Sequence, residues 1–162
     1  MTSDPDIVID IRPIGFVRDP EGAAKDRSGR GVTAIAIRPE LAYGLDGIED
    51  YSHVQVIYWL HRIAAAERAE LKQYPHHGRK EYPMVGVFAL RCPGRPNLIG
   101  LSVAEVVRRD GAVLYVRGLD AVDGSPVLDI KPYSLRNDRP DTPRVSWYAA
   151  ELWDKVHDDA TS

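Results

Sequence analysis

The sequence predicts a mainly β protein built from a mostly antiparallel sheet or a small barrel. Strand-like runs follow one another closely, and tight-turn pairs separate some of them, notably Asp110-Gly111 and Asp123-Gly124. Helical patterns are mostly confined to two places, residues 64–72 and a closing segment near the end of the chain. A doubly wound parallel sheet needs helices between its strands, so this distribution argues against that class.

The predicted strands are rich in β-branched and aromatic residues or alternate apolar with polar residues. In chain order they cover residues 7–17, 32–37, 54–60, 85–90, 99–108, 112–116 and 127–130. Residues 39–51 predict a short turn or helix, and the polar stretches 19–31, 73–82 and 134–143 predict loops. One face of a C-terminal helix is predicted from Val145, Tyr148, Ala149, Leu152 and Val156.

Length and composition narrow the class of protein. A chain of 162 residues predicts a single domain, with its core at about residues 11–156 and no separate C-terminal domain. The net charge of −3 excludes bulk attraction to nucleic acid, so any such contact needs a local basic patch. One cysteine excludes an internal disulfide and a cysteine-based zinc site. With no apolar run of membrane-spanning length and no secretory leader, we expect a cytoplasmic protein.

The stretch from Met84 to Val103 organises the rest of the sequence. Two apolar runs flank a basic elbow, residues 91–97, in which prolines and a glycine fix the turn. The elbow carries Arg91, Arg95 and Asn97, and arginine is suited to carboxylates, phosphates and stacked rings. A solvated surface turn is the simpler alternative for these side chains.

A second candidate site lies on the last predicted strand. Alternate residues of a strand share a face, so Asp129, Lys131 and Tyr133 are expected to face one way together with Val127. A solvated sheet edge would explain the same pattern. The preceding Asp123-Gly124 turn could let a ligand approach the backbone closely, although Asp side chains often only brace their own turns.

Histidines and tryptophans give weaker signals. His61 and Arg62 follow a predicted strand, where a histidine is usually structural but could also contact a ligand across a barrel mouth. His76-His77 resembles a metal pair, but a third ligand at suitable spacing is missing, so a solvated loop is expected and no metal is predicted. Trp59, Trp147 and Trp153 are most simply core or interface residues.

Four motifs, in conserved order, resemble those of one known family. FALRCPGRPNLIGLS (88–102) is similar to FATRSPFRPNPIGLS, the signature of the TsaA-like family, which includes bacterial tRNA (adenine-N6)-methyltransferases and VirR-like proteins. Residues 14–20 resemble IGxxRSP, residues 47–61 resemble GLexFSHxxxLxxxH, and residues 119–133 resemble LDLxDGTPVLDIKPY. Cys92, Gly94 and Leu98 depart from the usual serine, bulky residue and proline.

The resemblance implies a single-sheet β-barrel that binds S-adenosyl-L-methionine and forms a homodimer with the site near the interface. Carried over by position, it places the cofactor at the loop near Arg27 to Arg30 and at His61, Arg62, Arg91, Leu101, Ala121, Val122, Asp123 and Gly124. It also implies methylation of N6 of a modified adenosine in the tRNA anticodon loop. The ligand chemistry agrees, since arginine can bind the cofactor carboxylate and carboxylates can meet its positive groups.

The expected chemistry is alignment of an acceptor with an activated methyl group. The acceptor amine must lose a proton, and we assign that proton to Asp129 or Tyr133, with its pKa lowered by Lys131. Arg95 and Asn97 are candidate substrate-binding residues. Longer tRNA-modifying members of the family carry a further C-terminal domain, so another RNA, a small molecule or a protein remains open as substrate. A cofactor-binding module without turnover and a plain RNA-binding or interaction barrel are the alternatives.

Overall fold

The computed structural model describes residues 7–19, 31–68 and 70–151. The chain divides into two compact units, and each is described by itself. The barrel unit comprises Met1–Leu71 with Pro93–Tyr133, and the second unit comprises Lys72–Cys92 with Ser134–Ser162. The single-domain organisation with a core at about residues 11–156 stays a prediction.

Most of the regular structure is β-strand. In chain order the strands are β1 (Gly15–Arg18), β2 (Val32–Ile37), β3 (His53–Trp59), β4 (Lys72–Gln73), β5 (Val85–Gly86), β6 (Ile99–Asp110), β7 (Val113–Arg117) and β8 (Pro126–Pro132). Six of them close into a barrel in the order β1-β2-β7-β6-β3-β8, and every neighbouring pair is antiparallel. The predicted mainly β class and the barrel are therefore confirmed.

Helical segments are short. Turns of 3₁₀ helix span Pro39–Leu45, Ile48–Asp50, Ala65–Arg68 and Val87–Ala89. The α-helices are α1 (Pro75–Gly78), α2 (Leu135–Asp138) and α3, whose described part is residues 147–151. The predicted C-terminal helix is thus present from residue 147, and Leu152, Trp153 and Val156 lie outside the described residues. Among the described residues, no helix has the length and apolar character needed to cross a membrane.

The barrel core follows from alternation along the strands. In β2, β3 and β7 every second side chain is buried, as expected when one face of a strand packs inside a barrel. A continuous apolar cluster fills the interior, with Val17, Ile35, Val56, Leu114 and Val116 among its fully buried members. The predicted hairpin is confirmed as β6–β7, in which Asp110 pairs with Val113 across a two-residue turn.

Three predicted elements differ from the structure. The strand expected over residues 7–17 begins only at Gly15, with Ile14 already bonded through its backbone to Val127 and Arg38, and Pro13 before it lacks the N–H that a ladder needs. Residues 85–90 form a two-residue strand and a 3₁₀ turn instead of a full strand, and β5 pairs with β4 in the second unit. In place of the helix expected over residues 64–72, the described residues form the 3₁₀ turn Ala65–Arg68, and Lys72 begins β4, since a segment this short gains little from packing.

A bulge changes the faces of β8. Its pairing with β3 shifts between Ile57 and Tyr58, so one extra β8 residue is accommodated beside Leu128. Val127 therefore lies inside opposite Tyr58, while Ile130 packs against the core opposite Val56. The expectation that Val127 shares a face with Asp129 and Lys131 was wrong, because a bulge reverses the alternation of side chains along a strand.

Candidate functional site

Residues from two distant motifs meet at one end of the barrel. His61 and Arg62 follow the end of β3, and the Asp123-Gly124 turn precedes the start of β8. Since β3 and β8 are antiparallel neighbours, these two segments lie side by side. The Arg62 guanidinium donates to the Asp123 carbonyl at 3.2 Å, and Ser125 Oγ lies 3.4 Å from His61 Nδ1. We call this region the β3-end cluster.

The turn in the β3-end cluster is held firmly by backbone bonds. Gly124 has a φ of +78°, a conformation that favours glycine, and its N–H donates to the Val17 carbonyl at 2.9 Å. The Asp123 carboxylate accepts the backbone N–H of Asp19 at 2.8 Å, so this side chain braces the turn. A Cβ added at Gly124 would lie 3.9 Å from His61 Nε2, which places the bare glycine backbone beside the imidazole.

A buried polar network lies beneath the turn. The Tyr58 ring is 4% exposed, and its hydroxyl donates to the Asp120 carbonyl and lies 3.4 Å from Ser102 Oγ. Asp120 N–H in turn donates to Ser102 Oγ at 3.3 Å. Gly100 pairs with Tyr58 across β3 and β6, and a Cβ at Gly100 would lie 2.5 Å from two ring carbons. The ring can therefore occupy this position only because residue 100 has no side chain.

Sequence reasoning missed this network. Tyr58, Ser102 and Ser125 were not selected as site residues, and Gly100 was seen only as part of a motif. Two signals pointed to them: Tyr58 falls on the buried alternation of β3, and Ser102 lies on the inner face of β6, in register with Val56. The convergence of Tyr58 and Ser102 on Asp120 depends on strand register, which the sequence did not specify.

Residues 93–97 of the elbow belong to the barrel unit and precede β6, which starts at the barrel end that carries the β3-end cluster. Leu60 N–H donates to the Leu98 carbonyl at 2.8 Å, which joins the end of β3 to this segment. The Pro96 carbonyl accepts two bonds from the Arg68 guanidinium, at 3.0 and 3.3 Å. Arg95 is half-buried and Asn97 is exposed. Both substrate-binding candidates therefore lie on a braced loop in the same unit as the β3-end cluster.

Two other predicted cofactor residues, Arg91 and Leu101, belong to other elements of the chain than the β3-end cluster. Arg91 belongs to the second unit, where it is exposed. Leu101 points outward from β6, since its neighbour Ser102 is buried and its cross-strand partner is Ile57. Ala121 is buried at the base of the turn, and Val122 is half-buried beside it. The loop near Arg27 to Arg30 is outside the described residues.

The three predicted catalytic residues follow the outer wall of the barrel toward its other end. Lys131 Nζ lies 2.7 Å from an Asp129 carboxylate oxygen, and this hydrogen bond raises the pKa of Lys131 above its ordinary value of 10.5. Tyr133 N–H donates to the His53 carbonyl at the start of β3. His61 follows the far end of that strand, so Tyr133 and His61 are roughly 20 Å apart along it.

Asp129 lies close to Leu101 on the outer wall. Ile57 pairs with Leu101 on one side and with Asp129 on the other, so the three side chains form one row across the outer wall. Two inter-strand spacings separate Leu101 from Asp129, or roughly 10 Å. Trp59, Ile99 and Val103 extend this row into an apolar patch on the outer faces of β3 and β6. We call it the outer-wall patch.

A cavity of about 540 Å³ lies at the barrel end opposite the β3-end cluster. It is lined by the 3₁₀ segments between β2 and β3, by Ile14 and Ile37, and by Asp129 and Ile130 of β8. Its walls are mainly apolar, and Asp129 contributes a carboxylate that already pairs with Lys131.

Among the described residues, no group of three or more His, Cys, Asp or Glu side chains could hold a metal ion. The side chains of His76 and His77 are outside the described residues. The prediction that the protein uses no metal stays a prediction.

The chain thus combines a closed antiparallel barrel with a glycine turn, an imidazole and a guanidinium at one end. Residues 20–139 match the family described as tRNA-methyltransferase O N-terminal domain, and the chain belongs to this family. The resemblance identified from the four motifs is thereby confirmed.

Several known proteins are similar to the chain. A "Probable S-adenosyl-L-methionine-binding protein" of Methanothermobacter thermautotrophicus is 46% identical over 79% of this chain and 92% of that protein. The mouse "tRNA (adenine(37)-N6)-methyltransferase" is 39% identical over 78% of this chain and 28% of that protein. The crystal structure of TrmO from Pseudomonas aeruginosa superposes with a TM-score of 0.67 at 27% identity, covering 87% of this chain and 63% of that one. The chain thus spans well under two thirds of the mouse protein.

Proposed function

We propose that this chain is an S-adenosyl-L-methionine-dependent methyltransferase that acts on N6 of a modified adenosine in the tRNA anticodon loop. The observation that carries the proposal is the β3-end cluster, in which two motifs of the family meet around a glycine turn. Family membership adds the chemistry, because relatives are named as binders of this cofactor and as tRNA (adenine(37)-N6)-methyltransferases.

The residues of the β3-end cluster fit the proposed cofactor. Arg62 is an exposed guanidinium that could bind a carboxylate, and the carbonyls of the turn could accept an ammonium group. Gly124 offers bare backbone beside the His61 imidazole, and Val122 gives an apolar wall. Leu101 could contribute a second apolar wall from β6. When bound, the cofactor supplies an electrophilic methyl group, and the chain must then align an acceptor with it.

The proposal places the acceptor site on the outer wall, at Asp129. Asp129 lies in the same row as Leu101, with Ile57 between them, and Lys131 Nζ lies 2.7 Å from its carboxylate. In the proposed reaction Asp129 takes the proton that the acceptor amine releases, and Lys131 keeps it in position. Tyr133 is too far along β3 from His61 to serve the same cofactor within one chain.

We also propose a homodimer, with the outer-wall patch as the contact between copies. Five apolar side chains on two adjacent strands are an unusual surface for a monomer. A second copy placed there would cover Leu101 and enclose the cofactor near the interface. It could also bring its own Tyr133 toward the site.

A cofactor-binding module without turnover is the second candidate. The Asp129 carboxylate already accepts a bond from Lys131 and another from the Ile130 N–H, and Asp123 braces its own turn. Both carboxylates therefore have structural partners, which is what a module without a proton acceptor would show.

Calorimetry with S-adenosyl-L-methionine tests the cofactor site. Gly124→Ala is expected to weaken binding, because an alanine is strained at φ +78° and its methyl group would face His61. Gly118→Ala is the matched control, since Gly118 has a φ of +81° but no atom closer than 4.0 Å to an added Cβ. Equal affinity of both variants would remove the β3-end cluster from the cofactor site.

A methyl-transfer assay separates the two candidates. Transfer RNA from cells that lack this gene supplies an unmodified acceptor pool, and labelled cofactor reports incorporation. The methyltransferase proposal expects label in tRNA with wild-type protein and its loss with Asp129→Asn, while cofactor affinity stays unchanged. Cofactor binding without any transfer would favour the module. A cytoplasmic location remains a prediction.

A further inference from the structure

An aromatic cluster organises the second unit. Tyr82 and Tyr148 are buried, with ring centroids 6.3 Å apart. Trp147 contacts both rings, at centroid distances of 5.8 and 5.9 Å, yet it is 60% exposed. It was predicted to be a core or interface residue, and its exposure excludes the core. The buried tyrosines therefore support an indole that faces solvent.

A second exposed ring lies beside the same cluster. The Tyr148 hydroxyl donates to the Ala89 carbonyl at 3.4 Å, which fixes the 3₁₀ turn Val87–Ala89 against the tyrosines. Phe88 occupies the middle of that turn and is 79% exposed. Two large aromatic side chains are thus exposed within one small unit.

Positive charge accompanies these rings. The Tyr82 N–H donates to the Arg79 carbonyl at 3.3 Å, so Arg79 and the adjoining Lys80 emerge next to the aromatic cluster. Arg79 is half-exposed and lies 3.8 Å from Glu81, a long ion pair that solvent screens. Residues 72–92 contain four lysines and arginines against a single glutamate, although the whole chain carries a net charge of −3. The basic character therefore belongs to residues 72–92, since residues 134–151 of the same unit carry three arginines against two aspartates and one glutamate.

Exposed planar rings beside lysine and arginine suit unpaired nucleotides. Bases stack on aromatic side chains, and cationic side chains contact the phosphates between them. A second copy of the chain that docked through the same surface would fit less well, because the basic residues of the two copies would face each other. We propose that the second unit contacts single-stranded RNA, with Trp147 and Phe88 stacking on bases and with Arg79 and Lys80 contacting phosphates.

This inference rests on the proposed function, since the RNA is taken to be the loop of the tRNA substrate. It adds to that function a recognition surface outside the barrel. Within the part of the chain that the structure describes, the β3-end cluster offers no exposed aromatic side chain for an unpaired base. The second unit carries two such side chains, Trp147 and Phe88.

Binding of a labelled tRNA anticodon stem-loop, measured by fluorescence anisotropy, tests the surface without any need for catalysis. Trp147→Ala and Phe88→Ala are each expected to weaken binding by roughly 5- to 150-fold, the usual effect of losing one stacking platform. Trp147→Phe retains a ring and should recover much of the affinity. Tyr43→Ala is the matched control, because Tyr43 is an aromatic residue of the barrel unit that is 85% exposed.

Salt dependence tests the basic residues separately. Arg79→Gln and Lys80→Gln should each lower the slope of log affinity against log salt by about 0.7, as one phosphate contact is lost. Arg12→Gln, an exposed arginine of the barrel unit, should leave the slope unchanged. Calorimetry with S-adenosyl-L-methionine should give the same affinity for all these variants as for the wild type.

Three outcomes would overturn the inference. Wild-type stem-loop affinity in Trp147→Ala and Phe88→Ala, with methyl transfer to tRNA intact, would remove the surface and leave the proposed function standing. A wild-type protein that neither binds nor methylates tRNA would remove the proposed function as well. A fall in the mass measured by light scattering for Trp147→Ala, without a change in stem-loop affinity, would identify the surface as a contact between copies.

Discussion

Replacing Gly100 with alanine is expected to disturb both the barrel and the cofactor site. An added Cβ would lie 2.5 Å from two Tyr58 ring carbons and 3.0 Å from its hydroxyl, whereas ordinary contacts need at least about 3.4 Å. The ring is 4% exposed and cannot swing into solvent. It must therefore move by about 1 Å within a filled barrel, which takes its hydroxyl away from the Asp120 carbonyl.

The cost is that of overpacking a core, typically about 1–3 kcal/mol in the free energy of unfolding. For a chain of this length each kcal/mol lowers the melting temperature by about 2–4 °C, so we expect a fall of about 2–12 °C. Gly44→Ala is the matched control, because no atom lies within 4 Å of a Cβ added there. Its melting temperature should stay the same or rise slightly.

Thermal unfolding and calorimetry are measured on both variants. Gly100→Ala should also bind S-adenosyl-L-methionine more weakly, since Tyr58 no longer holds the segment that leads to the Gly124 turn. If Gly100→Ala melts and binds like Gly44→Ala, the Tyr58 network does not support the site, and the reasoning from strand register to cofactor binding is refuted.

Two further predictions concern polar contacts of the barrel unit. Ser125→Ala removes the hydroxyl that lies 3.4 Å from His61 Nδ1, and calorimetry should show cofactor binding weakened several-fold, an effect of about 1 kcal/mol. Ser52→Ala is the control, because the Ser52 hydroxyl bonds His53 at the other end of β3, and its cofactor affinity should not change. The hydrogen bond to the Asp129 carboxylate raises the pKa of Lys131 above its ordinary value of 10.5. The protonated lysine therefore contributes stability to the fold at pH values below 10.5, and this contribution is lost as the pH rises through the pKa that Lys131 has in the folded protein. An NMR titration should give an ordinary pKa for Lys131 in Asp129→Asn. The same pKa in this variant as in the wild type would contradict the ion pair.

Much of the barrel could be predicted because its strands carry their own signals. The runs VTAIAI and HVQVIYW alternate buried and exposed side chains as a barrel wall requires, and the structure places them as β2 and β3. The run from Val85 to Leu90 is equally apolar but forms only two strand residues. Composition cannot tell these cases apart, because a strand also needs a neighbour of matching length.

The candidate site was only partly accessible from the sequence. His61 and Gly124 could be selected from motifs, but the contacts of Tyr58 with Asp120 and of Ser125 with His61 depend on pairing between strands far apart in the chain. The bulge beside Leu128 reverses the face of everything after it, and its position is set by the register with β3. Local patterns carry no information about that register.

A crystal structure of the chain grown with S-adenosyl-L-methionine tests the central claim most directly. The account predicts the cofactor at the β3-end cluster, with its carboxylate at Arg62 and its body beside His61 and the Gly124 backbone. A cofactor bound in the cavity at the opposite end of the barrel, against Ile14 and Ile130, would contradict it.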